Sequence, residues 1–199
     1  MSGVHFYGGA SHARIFPLSK ALYPTNMNIR EATKDDAFSI ANIHVKAWQS
    51  GYKELMSKDY LDSLSIELKT KQWSESLSKI DIGTTLCIEL NQSVVGFSVF
   101  GPLRDNDLSN RNFGELVALN ILPEHWNKGL GSEFAKYIID ASHQRKWNAL
   151  YLWVLKGNDR ATKLYEKFGF IKEGSEKTSS KLTGNSLHEV RYIKKLHNV

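Results

Sequence analysis

Two glycines one residue apart, Gly129 and Gly131, constrain the fold of this chain more than any other feature of the sequence. Residues 113–122, FGELVALNIL, precede them and are almost continuously apolar, which predicts a central β-strand that ends at Pro123. Residues 129–145 follow, with apolar side chains at helical spacing. The segment therefore predicts a strand, a glycine turn and a helix in direct succession.

A glycine turn that opens a helix is suited to binding an anion. The first backbone N–H groups of a helix have no partner within the helix, and the helix dipole adds partial positive charge there. Glycine lets a phosphate or pyrophosphate approach the backbone, and Lys128 adds a charge beside the turn. The alternative is that Gly129 and Gly131 only permit close packing of strand and helix. The sequence contains no G-x-x-x-x-G-K-[ST], so it has no P-loop. It also lacks the G-x-G-x-x-G motif, because position 134 is Phe.

The remaining patterns predict one α/β domain with a mixed sheet, residues 27–199. Its elements follow the order β, α, α, β, β, β, α, β, α, β, β, with Asn91-Gln92 at the turn of an antiparallel hairpin. Thr33 and Asp36 resemble a capping box at the first helix, Gly51 interrupts that helix, and Ser65 caps the second. Residues 1–26 have no sustained period and no secretory signal pattern, so we expect a leader or tag outside the domain.

Composition excludes several classes of protein. The chain has 199 residues, a formal charge of +5 and a single cysteine, Cys87. One cysteine excludes an internal disulfide and a cysteine zinc cluster, and it fits the reducing cytoplasm. Basic residues alternate with acidic ones, unlike the basic face of a nucleic-acid binder. No apolar run is long enough for a membrane span. We therefore expect a cytoplasmic protein with no metal, nucleic-acid or membrane partner.

Two motifs in the same order resemble a known family. The segment FGELVALNILPEHWNKGLGSEFAKYII is similar to the acetyl-CoA-binding motif of the GNAT-type N-acetyltransferase superfamily, in which [QR]-x-x-G-x-[GA] opens a helix. The later segment LKGNDRATKLYEKFGF is similar to the family's N-x-x-A-x-x-x-Y-x-x-x-G-F. The resemblance covers about residues 28–196. The sequence departs from the first motif at Trp126, where the family has Gln or Arg.

The resemblance implies a GNAT-type fold with acetyl-CoA as co-substrate. The acyl-CoA would lie in a V-shaped gap between two parallel strands, here residues 113–122 and 148–155, and backbone N–H groups would hold its pyrophosphate. On this interpretation Gly131 clears space for the ligand, while the turn itself needs only Gly129. The implied cofactor-binding residues are Leu119, Asn120, Ile121, Trp126, Asn127, Lys128, Gly129, Leu130, Gly131, Ser132, Asn158 and Tyr165.

The resemblance also implies candidates for catalysis. Tyr165 matches the motif tyrosine that in many relatives protonates the departing sulfur, and the Leu119 backbone N–H would stabilise the oxyanion. Glu115 occupies the position of the catalytic glutamate in the histone-acetylating branch, so it is the candidate base. The alternatives are a core tyrosine, a structural carboxylate paired to a neighbouring strand, and water as the base.

The first helix and the loop after it wall the acceptor pocket in this family. Trp48 and Tyr52, four residues apart, are therefore predicted with Glu115 to contact the acceptor, although core packing explains Trp48 equally well. His44 lies on the same helix. We expect His125, beside the glycine turn, to face solvent.

The sequence thus predicts an N-acetyltransferase that moves an acetyl group from acetyl-CoA to a primary amine in a ternary complex. A non-catalytic acyl-CoA-binding module and a nucleotide-binding domain are the alternatives. The acceptor stays open among polyamines, aminoglycosides, amino acids, peptide N-termini and lysine. A homodimer is the family's common arrangement.

Overall fold

Seven strands form one mixed sheet in the computed structural model, which describes residues 26–79, 83–108, 111–179 and 186–196. The strand order across the sheet is β1-β2-β3-β4-β5-β7-β6. The strands are β1 Met27–Glu31, β2 Thr84–Leu90, β3 Ser93–Pro102, β4 Phe113–Ile121, β5 Ala149–Leu155, β6 Ile171–Ser179 and β7 Leu187–Lys195. The predicted mixed α/β architecture is confirmed.

Five α-helices accompany the sheet: α1 Ala37–Gly51, α2 Lys58–Asp62, α3 Ile66–Ser76, α4 Leu130–Gln144 and α5 Asp159–Lys167. The sequence did not predict α2, because five residues are too few to show an apolar period. The Ser57 side chain caps α2 by accepting from the Tyr60 backbone N–H. All the predicted helices and strands are present in the predicted order.

Local signals explain where several elements begin and end. The Asp36 carboxylate accepts the Thr33 backbone N–H at 2.7 Å, the expected half of a capping box, and a short 3₁₀ turn leads into α1. Arg30 also pairs with Asp36, which lowers the pKa of that carboxyl to about 2. Asn91 and Gln92 both have positive φ, as a tight hairpin turn between β2 and β3 requires.

The core lies where α1 and α4 pack against the sheet. Phe97 of β3 and Phe134 of α4 are fully buried there, and so is Cys87. Burial raises the pKa of the Cys87 thiol to about 12, so this cysteine is a small core hydrophobe and not a nucleophile. Within the described ranges, no helix combines the length and apolar character needed to cross a membrane.

A buried arginine joins the C-terminal strands to the loop after β3. Arg191 of β7 is 3% exposed and pairs with Asp105, Asp107 and Glu173 at 3.1, 2.9 and 2.9 Å. Its guanidinium also lies over the rings of Tyr151 and Trp153 on β5. Arg191 therefore fixes β5, β6, β7 and this loop relative to one another.

The predicted leader, residues 1–26, lies outside the described residues except for Asn26. The carbonyl oxygen of Asn26 accepts the Asn91 backbone N–H at 3.1 Å. The boundary between leader and domain stays a prediction.

Candidate functional site

The only parallel pair of strands in the described sheet separates before either strand ends. β4 and β5 pair from Phe113 opposite Ala149 to Leu116 opposite Leu152, although β4 continues to Ile121. On its other edge β4 stays paired with β3 as far as Ile121. A stretch of β4 therefore faces a gap, with backbone groups that no strand pairs.

The hydrogen-bond pattern identifies the backbone groups that face this gap. The Leu122 backbone N–H donates to Val95 of β3, and direction alternates along an antiparallel ladder. Leu119 and Ile121 therefore direct their backbone groups away from β3 and into the gap. The Ile121 carbonyl already accepts the indole N–H of Trp126 at 2.7 Å. Leu119 keeps the backbone N–H that the sequence analysis proposed for the oxyanion.

Gly129 and Gly131 have different structural roles at the start of α4. Gly129 is the N-cap of α4 with φ +85°, a left-handed conformation that favours glycine. At Gly131 a Cβ atom would lie 3.1 Å from a methyl group of Leu164 on α5. The space beside Gly131 is thus filled by α5, which favours close packing as the reason for the second glycine. Its proposed contact with pyrophosphate stays a prediction.

The gap and the start of α4 open into one cleft of about 470 Å³, within the usual range for small-molecule sites. Twelve predicted site residues line it: Tyr52, Leu119, Asn120, Ile121, Trp126, Asn127, Gly129, Leu130, Gly131, Ser132, Asn158 and Tyr165. Lys128, Trp48 and Glu115 are not among the lining residues. Sequence reasoning missed the lining residues Ala47, Gly51, Arg160, Ala161, Lys163, Leu164 and Lys167.

Positive charge characterises the cleft. Arg160, Lys163 and Lys167 of α5 line it, and no Asp or Glu side chain does so in the described part of the chain. The Lys167 ammonium lies 3.4 Å from the Ser132 hydroxyl in the first turn of α4, so the two helices meet across the cleft. Cations beside the start of a helix make this region suitable for phosphate groups.

Tyr52 after α1, Asn158 at the start of α5 and Tyr165 near the end of α5 line the same cleft. The Asn158 side-chain oxygen caps α5 by accepting the Ala161 N–H. Burial and the nearby Tyr52 both raise the pKa of Tyr165 above its usual value. The Tyr165 hydroxyl therefore stays protonated at neutral pH and can act as a hydrogen-bond donor.

Trp126 and Arg160 stack on each other across the cleft. The guanidinium carbon of Arg160 lies 3.2 Å from the Trp126 ring centre. A Cβ atom at Gly51, the last residue of α1, would lie 3.0 Å from an Arg160 nitrogen. A side chain at this position would press on the guanidinium, so glycine leaves Arg160 the room that it occupies here. The pair therefore connects the loop before α4, the start of α5 and the end of α1.

Glu115 lies outside the cleft and has a structural partner. It is 3% exposed, and its two carboxylate oxygens accept from Nε and Nη2 of Arg104 at 2.9 and 2.8 Å. A bidentate pair of this kind holds a carboxylate in a fixed orientation. Its contacts favour the structural alternative, and its role as base stays an untested prediction.

Trp48 and His44 pack behind the cleft and not within it. Ring centres lie 4.9 Å apart for His44 and Trp48, and 5.2 Å apart for Trp48 and Tyr52. Burial lowers the pKa of His44 to about 4, so this histidine is neutral at physiological pH. These contacts favour core packing for Trp48. The expectation for His125 was wrong, because it is half-buried and lines the cleft.

Comparison with known proteins agrees with this geometry. The family model described as the acetyltransferase (GNAT) family matches residues 39–170. An uncharacterized N-acetyltransferase of Bacillus subtilis strain 168, YuaI, is 30% identical over 66% of this chain and 73% of its own length. The spermine/spermidine N(1)-acetyltransferase of the same strain is 25% identical over 73% of this chain and 88% of its own length.

Solved structures show the same fold. The PaiA N-acetyltransferase of Thermoplasma acidophilum, determined in complex with coenzyme A, superimposes with a TM-score of 0.66 at 20% identity. The match covers 86% of this chain and 99% of that protein. At 20% identity, this similarity establishes a shared fold and no more.

Proposed function

Because this chain belongs to the acetyltransferase (GNAT) family, we propose that it moves an acetyl group from acetyl-CoA to a primary amine by direct transfer in a ternary complex. The chain is an acyltransferase, and the proposal concerns its acyl donor, its acceptor and the course of the reaction. The observation that carries the proposal is the cleft itself. In it the unpaired edge of β4, the glycine turn of α4 and the Tyr165 side chain come together.

The residues present fit acetyl-CoA. The free backbone edge of β4 around Leu119 can pair with the amide groups of a pantetheine arm as another strand would. The start of α4, with Lys163 and Lys167 facing it from α5, suits the negative charge of the phosphates. The Ile121 carbonyl already accepts a hydrogen bond from the Trp126 indole N–H. We therefore expect the pantetheine arm to form its backbone hydrogen bonds mainly at Leu119.

The transfer requires one bond to form and one to break. The nitrogen of a neutral amine attacks the acetyl carbonyl carbon, and the Leu119 backbone N–H stabilises the oxyanion that forms. When the carbon–sulfur bond breaks, the thiolate takes its proton from the Tyr165 hydroxyl. The extra proton of the amine leaves to solvent, and the Tyr165 phenolate regains its proton from solvent. No covalent acetyl-enzyme forms on this route.

Solvent is the base that the contacts support best. Glu115 is held by Arg104 away from the cleft, whereas the cleft is open to water. Glu115 as base is the competing form of this proposal, and it requires Arg104 to release the carboxylate.

An acyl-CoA-binding module without catalysis is the second candidate function. Tyr165 lines the same cleft as the free backbone edge of β4 at Leu119, and a hydroxyl donor beside an N–H able to stabilise an oxyanion favours catalysis over binding alone. A relative named for spermine and spermidine makes polyamines one acceptor class to include in any screen.

The test is a screen of the full chain with acetyl-CoA and a panel of polyamines, amino acids, aminoglycosides and peptides. Release of free CoA is followed together with the mass of each amine. We expect at least one amine to gain one acetyl group per CoA released. Binding of CoA by calorimetry without turnover of any amine would support the binding module instead.

A further inference from the structure

Arg160 is a cation held in the cleft by an aromatic ring. The Trp126 ring lies 3.2 Å below its guanidinium carbon, and the indole N–H in turn donates to the Ile121 carbonyl at 2.7 Å. Gly51 leaves the space that the guanidinium fills. Stacking on tryptophan restricts the orientation of an arginine but leaves its N–H groups, which lie in the plane of the guanidinium, available to a ligand.

No carboxylate neutralises this arginine. Within the described residues, no Asp or Glu oxygen lies within 4.0 Å of its nitrogens. The acidic side chains of Glu54 and Asp159 share with Arg160 only a shallower hollow beside the cleft. Burial lowers the pKa of Arg160, the direction expected for a partly desolvated cation without a counter-ion.

Arg160 lies beside the end of α1, where a Cβ atom at Gly51 would lie 3.0 Å from an Arg160 nitrogen. Its charge acts on the Tyr52 hydroxyl, which is close enough to Tyr165 to raise the pKa of the Tyr165 hydroxyl. Lys167, by contrast, contacts Ser132 at the start of α4, two turns of α5 away from Arg160. The two cations therefore serve different parts of whatever occupies the cleft.

We propose that Arg160, oriented by Trp126, binds an anionic group of the acceptor, so that the preferred acceptor is an amine that carries a carboxylate. This inference rests on the proposed function and names the substrate class for the same cleft. A planar guanidinium binds a carboxylate through two parallel hydrogen bonds, which would fix the amine relative to the acetyl carbonyl. A polyamine would instead bring additional positive charges towards an unneutralised arginine, which opposes its binding.

The test compares matched acceptors on the full-length protein. Each pair consists of an amino acid and its carboxamide, which differ only in the anionic group, with spermidine as a third substrate. Catalytic efficiency, kcat/KM, is measured for the unsubstituted protein, Arg160→Gln and Arg160→Lys. Lys53→Gln is the matched control, because it removes one positive charge next to Tyr52 from a side chain outside the cleft. Calorimetry with CoA is run on every variant.

We expect the unsubstituted protein to prefer the amino acid of each pair, and Arg160→Gln to lower kcat/KM for that member about 10- to 100-fold, the usual contribution of hydrogen bonds to a charged group. The carboxamide should change little. Arg160→Lys should restore only part of the preference, and Lys53→Gln should keep it. CoA affinity should stay within about 2-fold, well below one hydrogen bond to a charged group.

Two results would overturn the inference. The unsubstituted protein could prefer the carboxamide or spermidine, or Arg160→Gln could keep the preference for the amino acid. If Arg160→Gln keeps that preference and also weakens CoA binding, the guanidinium binds a cofactor phosphate instead. Failure of the proposed function is distinct from both results, because the unsubstituted protein would then acetylate no member of any pair.

Discussion

Arg191 and Arg160 both stack on a tryptophan, yet their surroundings differ in every other respect. Arg191 is buried, and three acidic side chains from β6 and the loop after β3 surround it. Arg160 faces an open cleft, and the described residues offer it no carboxylate. The pKa of Arg191 is raised by its partners, whereas the pKa of Arg160 is lowered by burial.

The difference separates two kinds of charged residue in one domain. All the charged partners of Arg191 belong to this chain, so its ion pairs stabilise the packing of strands and a loop. The contacts of Arg160 are incomplete until a ligand arrives. Arg191 should therefore affect the free energy of unfolding and have little direct effect on the reaction. Arg160 should affect the reaction and have little effect on the free energy of unfolding.

Removing Arg191 should give the largest effect. Arg191→Met removes a buried cation and leaves Glu173 and Asp105, whose side chains are partly exposed, without it. We expect a loss of about 2–4 kcal/mol in the free energy of unfolding, somewhat below the cost of breaking a fully buried pair. Urea unfolding followed by circular dichroism measures the change. A loss below about 1 kcal/mol would mean that these carboxylates find solvent readily, and the contrast with Arg160 would weaken.

Tyr165 belongs to the cleft and should behave in the opposite way. Tyr165→Phe keeps the ring that packs 5.9 Å from the ring centre of Phe170 but removes the proton donor. We expect kcat to fall at least about 100-fold, within the range for general acid catalysis, with CoA affinity and unfolding free energy nearly unchanged. Stopped-flow detection of free thiol measures the rate. A fully active variant would leave water or the acceptor as the acid.

Glu115 tests whether a residue predicted to be the catalytic base behaves like Arg191 or like the residues of the cleft. Because Arg104 holds the carboxylate, Glu115→Gln should cost about 1–3 kcal/mol in stability and change kcat only a few-fold. Steady-state rates across a pH series accompany the unfolding curve. If Glu115 is instead the base, the rate will fall strongly at neutral pH and recover in part at high pH.

Arg160 should show the smallest effect on stability. Arg160→Gln loses one stacking contact at a partly exposed site, so we expect a change within about 0.5 kcal/mol in the same urea experiment. Arg160→Lys serves as the matched substitution that keeps the charge. A loss comparable to that of Arg191→Met would show that the Trp126–Arg160 pair is part of the scaffold.

Short-range sequence patterns predicted the backbone of this site well, but they did not predict contacts between segments that are distant in the sequence. The strand before Gly129, the helix after it and the hairpin at Asn91 follow from short-range periodicity and turn chemistry, and all three are present. Arg160 could not be predicted as a cleft residue, since its position depends on how α5 crosses the loop at Trp126.

The same limit explains the uncertain roles of Glu115 and Gly131. Strand alternation gives the face on which Glu115 lies, but not the arginine that reaches it from the loop after β3. The glycine pattern predicts that some group approaches Gly131 closely, and only the packing of α5 identifies Leu164 as a group that does.

The most direct test of the central claim follows an isotope-labelled acetyl group from acetyl-CoA through the full-length protein. The protein is mixed with labelled acetyl-CoA, first without and then with an accepted amine, and the intact protein and the amine are both analysed by mass spectrometry. Direct transfer predicts an unlabelled protein in both mixtures and one labelled amide for each CoA released. A protein that acquires the label without amine and passes it on when amine is added would contradict the account.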